Sequence, residues 1–171
     1  DGTDKDGNGK INLQSVTSPG TAKNCITVGA CENLRPEFDS KTYGEWWPHD
    51  FPVSPFKNDP MANHADQVVP FSSRGPTTDN RVKPDVVAPG TFILSTRSSK
   101  LAANNFAWAA YPPDKKHYFH MGGTSMATPL TAGAVAVLRE FLRTKQSLAR
   151  PSAALLKALL IAGAQRLPGT A

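Results

Sequence analysis

The stretch His117-Tyr118-Phe119-His120-Met121-Gly122-Gly123-Thr124-Ser125-Met126-Ala127-Thr128-Pro129, continuing to Leu142, decides how the rest of the chain reads. Two glycines feed a hydroxyl pair. Behind the pair runs a segment of Ala, Val, Leu and Gly that meets no charge until Arg139. No polar stripe recurs at helical spacing, so the pattern predicts a helix buried on nearly all sides. The glycines allow a sharp turn into that helix and leave room for another molecule to approach the backbone. Ser125 then falls in the first turn, where free N–H groups and the positive dipole end favour developing negative charge. A serine so placed is a candidate nucleophile with an oxyanion donor in its own backbone. Gly-Gly-Thr-Ser ahead of a helix is also an ordinary N-cap. Pro129 argues for more than a cap, because its missing N–H leaves the Ser125 carbonyl without its helical partner.

Working outward, Lys83-Pro84-Asp85-Val86-Val87-Ala88-Pro89-Gly90, Phe71-Ser72-Ser73-Arg74-Gly75-Pro76 and Ile26-Thr27-Val28-Gly29-Ala30 precede the serine segment. Together with Gly123-Thr124-Ser125-Met126-Ala127-Thr128-Pro129, and in this order, they resemble the subtilisin-like serine proteases (subtilases). The resemblance runs from about Ser18 to Ala164. It implies an α/β fold, part of a three-layer doubly wound parallel sheet cut at both ends. It also implies a serine endopeptidase that forms an acyl-enzyme on Ser125, with the Ser125 N–H and the Thr124 hydroxyl toward the oxyanion. Ser18, Pro19, Gly20, Gly122 and Gly123 would line the substrate pocket, with Pro19-Gly20 facing the residue before the cut bond and Ser18–Pro19 cis. A polypeptide substrate and an extracellular or cell-envelope location follow from the same resemblance.

Serine at neutral pH needs a base and a group that orients it. In subtilases the order is Asp, His, Ser. None of His49, His64, His117 and His120 is followed by glycine, as that family's histidine is. Asp1-Gly2-Thr3 mimics an aspartate motif in the wrong place. The resemblance therefore places the Asp, the His and the oxyanion Asn upstream of Asp1, and the family's closing Gly-x-Gly segment beyond Leu167-Pro168-Gly169-Thr170-Ala171. The chain reads as the serine-bearing part of a catalytic domain, inactive alone. Such a part would expose a sheet edge and one side of the serine helix. That surface calls for the missing N-terminal half of the domain, or for self-association with a second copy.

The 171 residues suffice for one domain or a part of one, and 39% apolar with 19% charged content is globular rather than disordered. A net charge of +5 without any Lys/Arg-rich run gives no nucleic-acid footprint, and no apolar run reaches membrane-helix length. Cys25 and Cys31 bracket a predicted strand, which holds them roughly 20 Å apart and beyond disulfide reach. No CxxC or HxxxH spacing suggests zinc.

Residues 1–17 contain Asp4, Asp6, Asn8, Gly9, Lys10 and Asn12 in the spacing of a D-x-D-x-N-G calcium loop, with Ser15 where the bidentate Glu belongs. This makes Ca²⁺ a candidate structural cofactor, although Asp/Asn/Gly clusters also mark any exposed turn. Residues 32–66 have no period and read as an irregular insertion whose tryptophans either meet a partner or pack the loop down. Strands are predicted at Cys25–Ala30, Val68–Phe71, Val86–Ala88 and Phe92–Thr96, and 100–116 as a second irregular loop. A second helix over 152–163 follows the N-cap Ser152, with Leu155, Leu156, Leu159 and Leu160 on its core face. Strands alternating with helices argue a parallel α/β layer. Two rival readings stand beside the protease: a catalytically silent, calcium-dependent binding module on the same scaffold, and an α/β-hydrolase esterase suggested by Gly123-x-Ser125-x-Ala127. The second rival needs a histidine after the serine, and none follows His120.

Overall fold

The computed structural model describes residues 1–112 and 114–168. Pro113 and the stretch 169–171, where the sequence reading put the chain's close, lie outside them. Strand β1 (Val28–Cys31) pairs in parallel with β2 (Val86–Pro89), in the register Val28 to Val86 through Cys31 to Pro89. Strands β3 (Ile93–Thr96), β4 (Ala109–Ala110) and β5 (Tyr118–Met121) form a separate antiparallel sheet in the order β3-β5-β4. Among the described residues there are three α-helices, the single turn α1 (Tyr43–Trp46), the serine helix α2 (Thr124–Thr144) and α3 (Ala153–Ala162), and two short 3-10 turns at Pro36–Phe38 and Phe56–Asn58. Helix α2 packs on β1 and β2, and α3 packs on α2.

The parallel pair begins later than the sequence suggests. Thr27 reaches the second strand through its carbonyl, which accepts from the Asp85 and Val86 N–H groups, while its N–H donates to the Asp85 carboxylate and its hydroxyl to the Gly20 carbonyl. Strand β1 opens at Val28. Val68–Phe71 is not a strand, and only an isolated bridge joins Val68 to Cys31. Pro70 has no N–H for a ladder, and the Ser72 N–H turns back to the Val69 carbonyl. The loop predicted over 100–116 contains β4, and β5 lies where the sequence predicts no strand. Cys25 and Cys31 are both free thiols.

The largest revision concerns α2. Expected to be buried on nearly all sides, it buries only Ala127, Thr131 and Leu142. Leu130, Val137 and Phe141 are 45%, 68% and 48% exposed. Among the regular elements, β1, β2 and α3 are the main neighbours of the helix, and its apolar composition outruns the surface that covers it. Helix α3 behaves alike: the Ser152 hydroxyl caps it by accepting from Leu155 N–H, but of its leucines only Leu156 is buried.

The core lies instead under the irregular segments. Tyr43, Phe51, Phe56, Met61 and Ala62, all from the 32–66 insertion, join Ile11, Ala30, Val69, Phe92 and Ala127 in one buried cluster. The insertion is pinned by the buried Glu32, whose carboxylate accepts from Tyr43 OH at 2.8 Å, from the N–H groups of Asn63 and His64, and from Gln67. Backbone groups that no ladder satisfies are satisfied here by a side chain. Burial pushes the Glu32 carboxyl up to about 7, against the opposing pull of these donors.

Candidate active site

Strand β5 delivers the chain to Gly122 and Gly123, and the helix starts at once. Gly123 is the N-cap with φ of 132°, a region that side-chain-bearing residues rarely adopt. Gly122 lies so close to the Trp108 ring that a Cβ would fall 2.0 Å from it. Both glycines are therefore dictated by geometry, one by backbone conformation and one by crowding. The Gly123 N–H donates to the Gly90 carbonyl at 2.7 Å, tying the start of α2 to the end of β2.

Ser125 is exposed in the first turn of α2. The Thr124 and Ser125 N–H groups have no backbone acceptor among the described residues, as expected of a helix start. Pro129 sits inside the helix and withholds the N–H that would meet the Ser125 carbonyl, while the Thr128 hydroxyl bonds back to the Thr124 carbonyl at 2.9 Å. The result is an exposed hydroxyl over free amide donors, the local arrangement that acyl transfer requires.

Two clefts meet at this serine. The first, of about 710 Å³, is lined by Ser18, Pro19, Gly20, Thr124, Ser125 and the strand-approach residues 25–29. The Ser18–Pro19 bond is cis, as the resemblance implied. The second, of about 540 Å³, is lined by Gly122, Gly123, Thr124 and Ser125 on one side and by Trp47, Phe71 and Trp108 on the other. The fold thus gathers Ser125, Thr124, Ser18, Pro19, Gly20, Gly122 and Gly123 around one point.

Among the described residues, no histidine lines either cleft. His49, His64 and His117 are exposed. His120 is buried against Phe38 and Tyr111, and burial pushes its imidazole below the ordinary range.

The first cleft is braced from below. Lys83 and Lys157 both reach the Asp85 carboxylate, at 2.8 and 2.9 Å, and both also bond the Cys25 carbonyl. Burial raises the Asp85 carboxyl, but hydrogen bonds from Lys83, Thr27 N–H and Lys157 outweigh it and hold the group below its ordinary range. This ties α3, β2 and the 18–27 turn together behind the site.

The candidate calcium loop borders the second cleft through residues 1–3 and Lys5. Asp4 is fully buried and its carboxylate accepts from the N–H groups of Asn8 and Gly9, while Asp6 accepts from the Asn8 amide and Asn8 from Lys10 N–H. Ser15, at the twelfth position, is engaged with the Arg74 backbone. Asp4, Asp6 and Asn8 share one tight loop with the spacing of the first three ligand positions; Lys10 donates its N–H to Asn8 there, and Asn12 donates its N–H to the Thr3 carbonyl. Among the described residues no cluster of three His, Cys, Asp or Glu groups is arranged for a metal.

Sequence reasoning missed Trp47, Phe71 and Trp108 as site residues. The three come from separate segments, and the one usable hint was Gly122, where a glycine leaves room for the Trp108 ring. It also missed that residues 1–3 and Lys5 border the second cleft.

The sequence model described as the subtilase family matches residues 6–171. The serine protease/ABC transporter B family protein tagD of Dictyostelium discoideum is 37% identical over 127 residues, covering 69% of this chain and 7% of that protein. The serine protease AprX of Bacillus subtilis is 33% identical over 132 residues, covering 77% of this chain and 24% of its own length. The minor extracellular protease Vpr of the same organism is 43% identical over 77 residues, 44% of this chain and 8% of that protein. The chain thus spans a quarter or less of the length of each of these relatives.

Proposed function

The chain belongs to the subtilase family, and on that premise we propose that it is the serine-bearing part of a subtilisin-like serine endopeptidase. What carries the proposal is one observation: an exposed Ser125 over free amide donors, at the meeting point of two clefts. In this reading Ser125 Oγ attacks the scissile carbonyl of a polypeptide. The hydroxyl proton passes to a histidine, and the tetrahedral oxyanion is held by the Ser125 N–H with help from the Thr124 hydroxyl. Collapse expels the amine and leaves an acyl-enzyme, which water releases. Ser18, Pro19 and Gly20 form the wall for the residue before the cut bond, and Gly122 and Gly123 keep side-chain bulk away from the attacked carbon.

The histidine, its aspartate and an oxyanion asparagine come from sequence outside these 171 residues; the lack of a histidine in either cleft among the described residues supports this. The same outside sequence would extend the β1–β2 pair into a three-layer doubly wound parallel sheet and cover the exposed face of α2. Leu130, Val137 and Phe141 support that role, and a second copy of the chain is the alternative occupant. Calcium would serve structurally at Asp4, Asp6, Asn8, Lys10 and Asn12, supplying positive charge that holds the loop; chelation should then lower the melting temperature without altering the chemistry at Ser125. An extracellular or cell-envelope location is supported by the family and by the extracellular relative.

Fluorophosphonate labelling with mass mapping tests the reading. Ser125 should label in the full-length protein and not in this chain alone. Labelling of the isolated chain would show that its own residues supply the base. No labelling in either would favour the silent binding module.

A further inference from the structure

Two ammonium groups and one carboxylate meet behind the first cleft, and the chemistry of the serine does not call for them. Each ammonium has three donors and spends all three. Lys157, on α3, donates to Asp85 Oδ1 at 2.9 Å, to the Cys25 carbonyl at 2.7 Å and to the Lys23 carbonyl at 3.4 Å. Lys83, just ahead of β2, donates to Asp85 Oδ2 at 2.8 Å, to the Thr27 hydroxyl at 2.9 Å and to the Cys25 carbonyl at 3.4 Å. The side chains of Lys83 and Asp85 are 3% and 9% exposed, and that of Lys157 is 21% exposed. Replacing a buried ion cluster by apolar residues is often neutral or stabilising, so stability alone does not account for this one. What the cluster supplies is fixed geometry, because every oxygen it engages has a set place around two ammoniums.

Those oxygens belong to the turn that walls the cleft. The Thr27 hydroxyl, which accepts from Lys83, donates in turn to the Gly20 carbonyl at 2.6 Å. Asp85 grips the same threonine twice: its carboxylate accepts from the Thr27 N–H and its own N–H donates to the Thr27 carbonyl, each at 2.8 Å. Gly20 has no side chain to anchor it, so the bond to its carbonyl fixes it. Gly20 and Thr27 line the cleft that reaches Ser125, whereas Asp85 and Lys157 stand behind it. A continuous line of charge-assisted hydrogen bonds thus runs from α3 to the cleft wall, with Lys157 as its outermost member. We propose that Lys157 is a positioning residue for cleavage at Ser125: acting through Asp85 and Thr27, together with Lys83, it sets where the Ser18–Gly20 wall stands. This inference rests on the proposed serine endopeptidase reading and adds to it a control point on α3, outside the cleft.

Steady-state kinetics of the full-length protein test this role. The substrates are two short peptide anilides that differ only in carrying phenylalanine or glycine before the cut bond. A displaced wall weakens ground state and transition state alike, so the loss should fall on KM and spare kcat. Lys157→Met keeps an unbranched side chain and removes the charge. In this variant KM for the phenylalanine substrate should rise about tenfold, the low end of the cost of a lost pocket contact. The glycine substrate places nothing against the wall, and its KM should move far less. Thr27→Val, isosteric but without the hydroxyl, should reproduce the effect with α3 untouched, and Thr27→Ser should reverse it. A residue that only stabilised the fold would lower the melting temperature and leave KM of the folded enzyme where it was. An unmoved KM in folded Lys157→Met, or in Thr27→Val if Lys157→Met does not fold, overturns the positioning role, and so does an equal loss on both substrates. Ser125 that fails to label with fluorophosphonate in the wild-type protein overturns the protease reading and this role with it; Ser125 that labels while KM stays put in the variants overturns the role alone.

Discussion

The insertion 32–66 holds a single four-residue turn of α-helix, yet contributes Tyr43 and Met61 at 0% exposure and Phe51 at 1%. Helix α2 has 21 continuous residues, yet Val137 is 68% and Phe141 48% exposed. Regular hydrogen bonding and burial have come apart. A helix satisfies its own backbone and persists with one face bare, whereas an irregular segment must find partners for every buried polar group and is stable only where it packs. The insertion does so by wrapping aromatics around Glu32. The helix does not need to, and its bare face remains free for other sequence to cover.

The sharpest test pairs two phenylalanines. Phe51→Ala should cost about 3–5 kcal/mol, the usual loss for a large buried ring. Phe141→Ala should cost no more than about 0.5 kcal/mol in this chain, as surface substitutions do. Thermal or denaturant melts of both variants check the pair. Equal costs would erase the contrast. In the full-length protein the cost of Phe141→Ala should rise by at least 1 kcal/mol or so if that face is covered there.

Next in size is a pH effect confined to the insertion. Glu32 has its carboxyl raised from an ordinary 4.5 to about 7, chiefly by burial. The folded state therefore holds the proton more firmly than the unfolded state, and stability is lost as pH rises through that window. The displacement corresponds to on the order of 3 kcal/mol. Asp59, itself raised by burial, and Tyr43, pushed well above its ordinary range, face the same carboxylate and leave the direction unchanged. Melting temperature should decline from about pH 5 to 7.5 in the wild type and run flatter in Glu32→Gln. A wild-type curve that rises over this window would show that the hydrogen bonds to Glu32 outweigh its burial.

A smaller effect joins the two regions at the site. In Gly122→Ala the new methyl group meets the Trp108 ring, and overpacking of this kind costs about 1–3 kcal/mol. Trp108 must tilt, so tryptophan emission should shift. An unchanged spectrum would mean that the ring is not held where the cleft requires it.

How far the sequence revealed all this followed the same division. The segment around Ser125 was legible because its information is local: glycines, a hydroxyl, an interrupting proline and the start of a helix lie within a dozen residues. Val86–Pro89 and Ala153–Ala162 were legible for the same reason, through a β-branched run and a Ser152 cap. The burial of α2 was misread because composition reports what a helix would bury, not what stands beside it. Trp47, Phe71 and Trp108 were invisible as a set, since 60 residues of chain separate the outer two and no period links them. The strand predicted at Val68–Phe71 failed on a single Pro70, whose missing N–H outweighed its β-branched neighbours.

The smallest substitution asks most directly whether α2 stays bare. Gly133 lies mid-helix, and a Cβ built there meets nothing within 4 Å. Alanine is favoured over glycine in an exposed helix interior by about 0.8–1.0 kcal/mol. Gly133→Ala should therefore raise the stability of this chain by about that amount, with no packing penalty to offset it. In the full-length protein the same methyl group would enter whatever covers the face, and the gain should shrink or reverse as overpacking sets in. Melts of both forms with and without the substitution make the comparison. Equal stabilisation in the two would show that the helix is as exposed in the whole protein as it is here, and the covering role assigned to sequence outside the chain would fall.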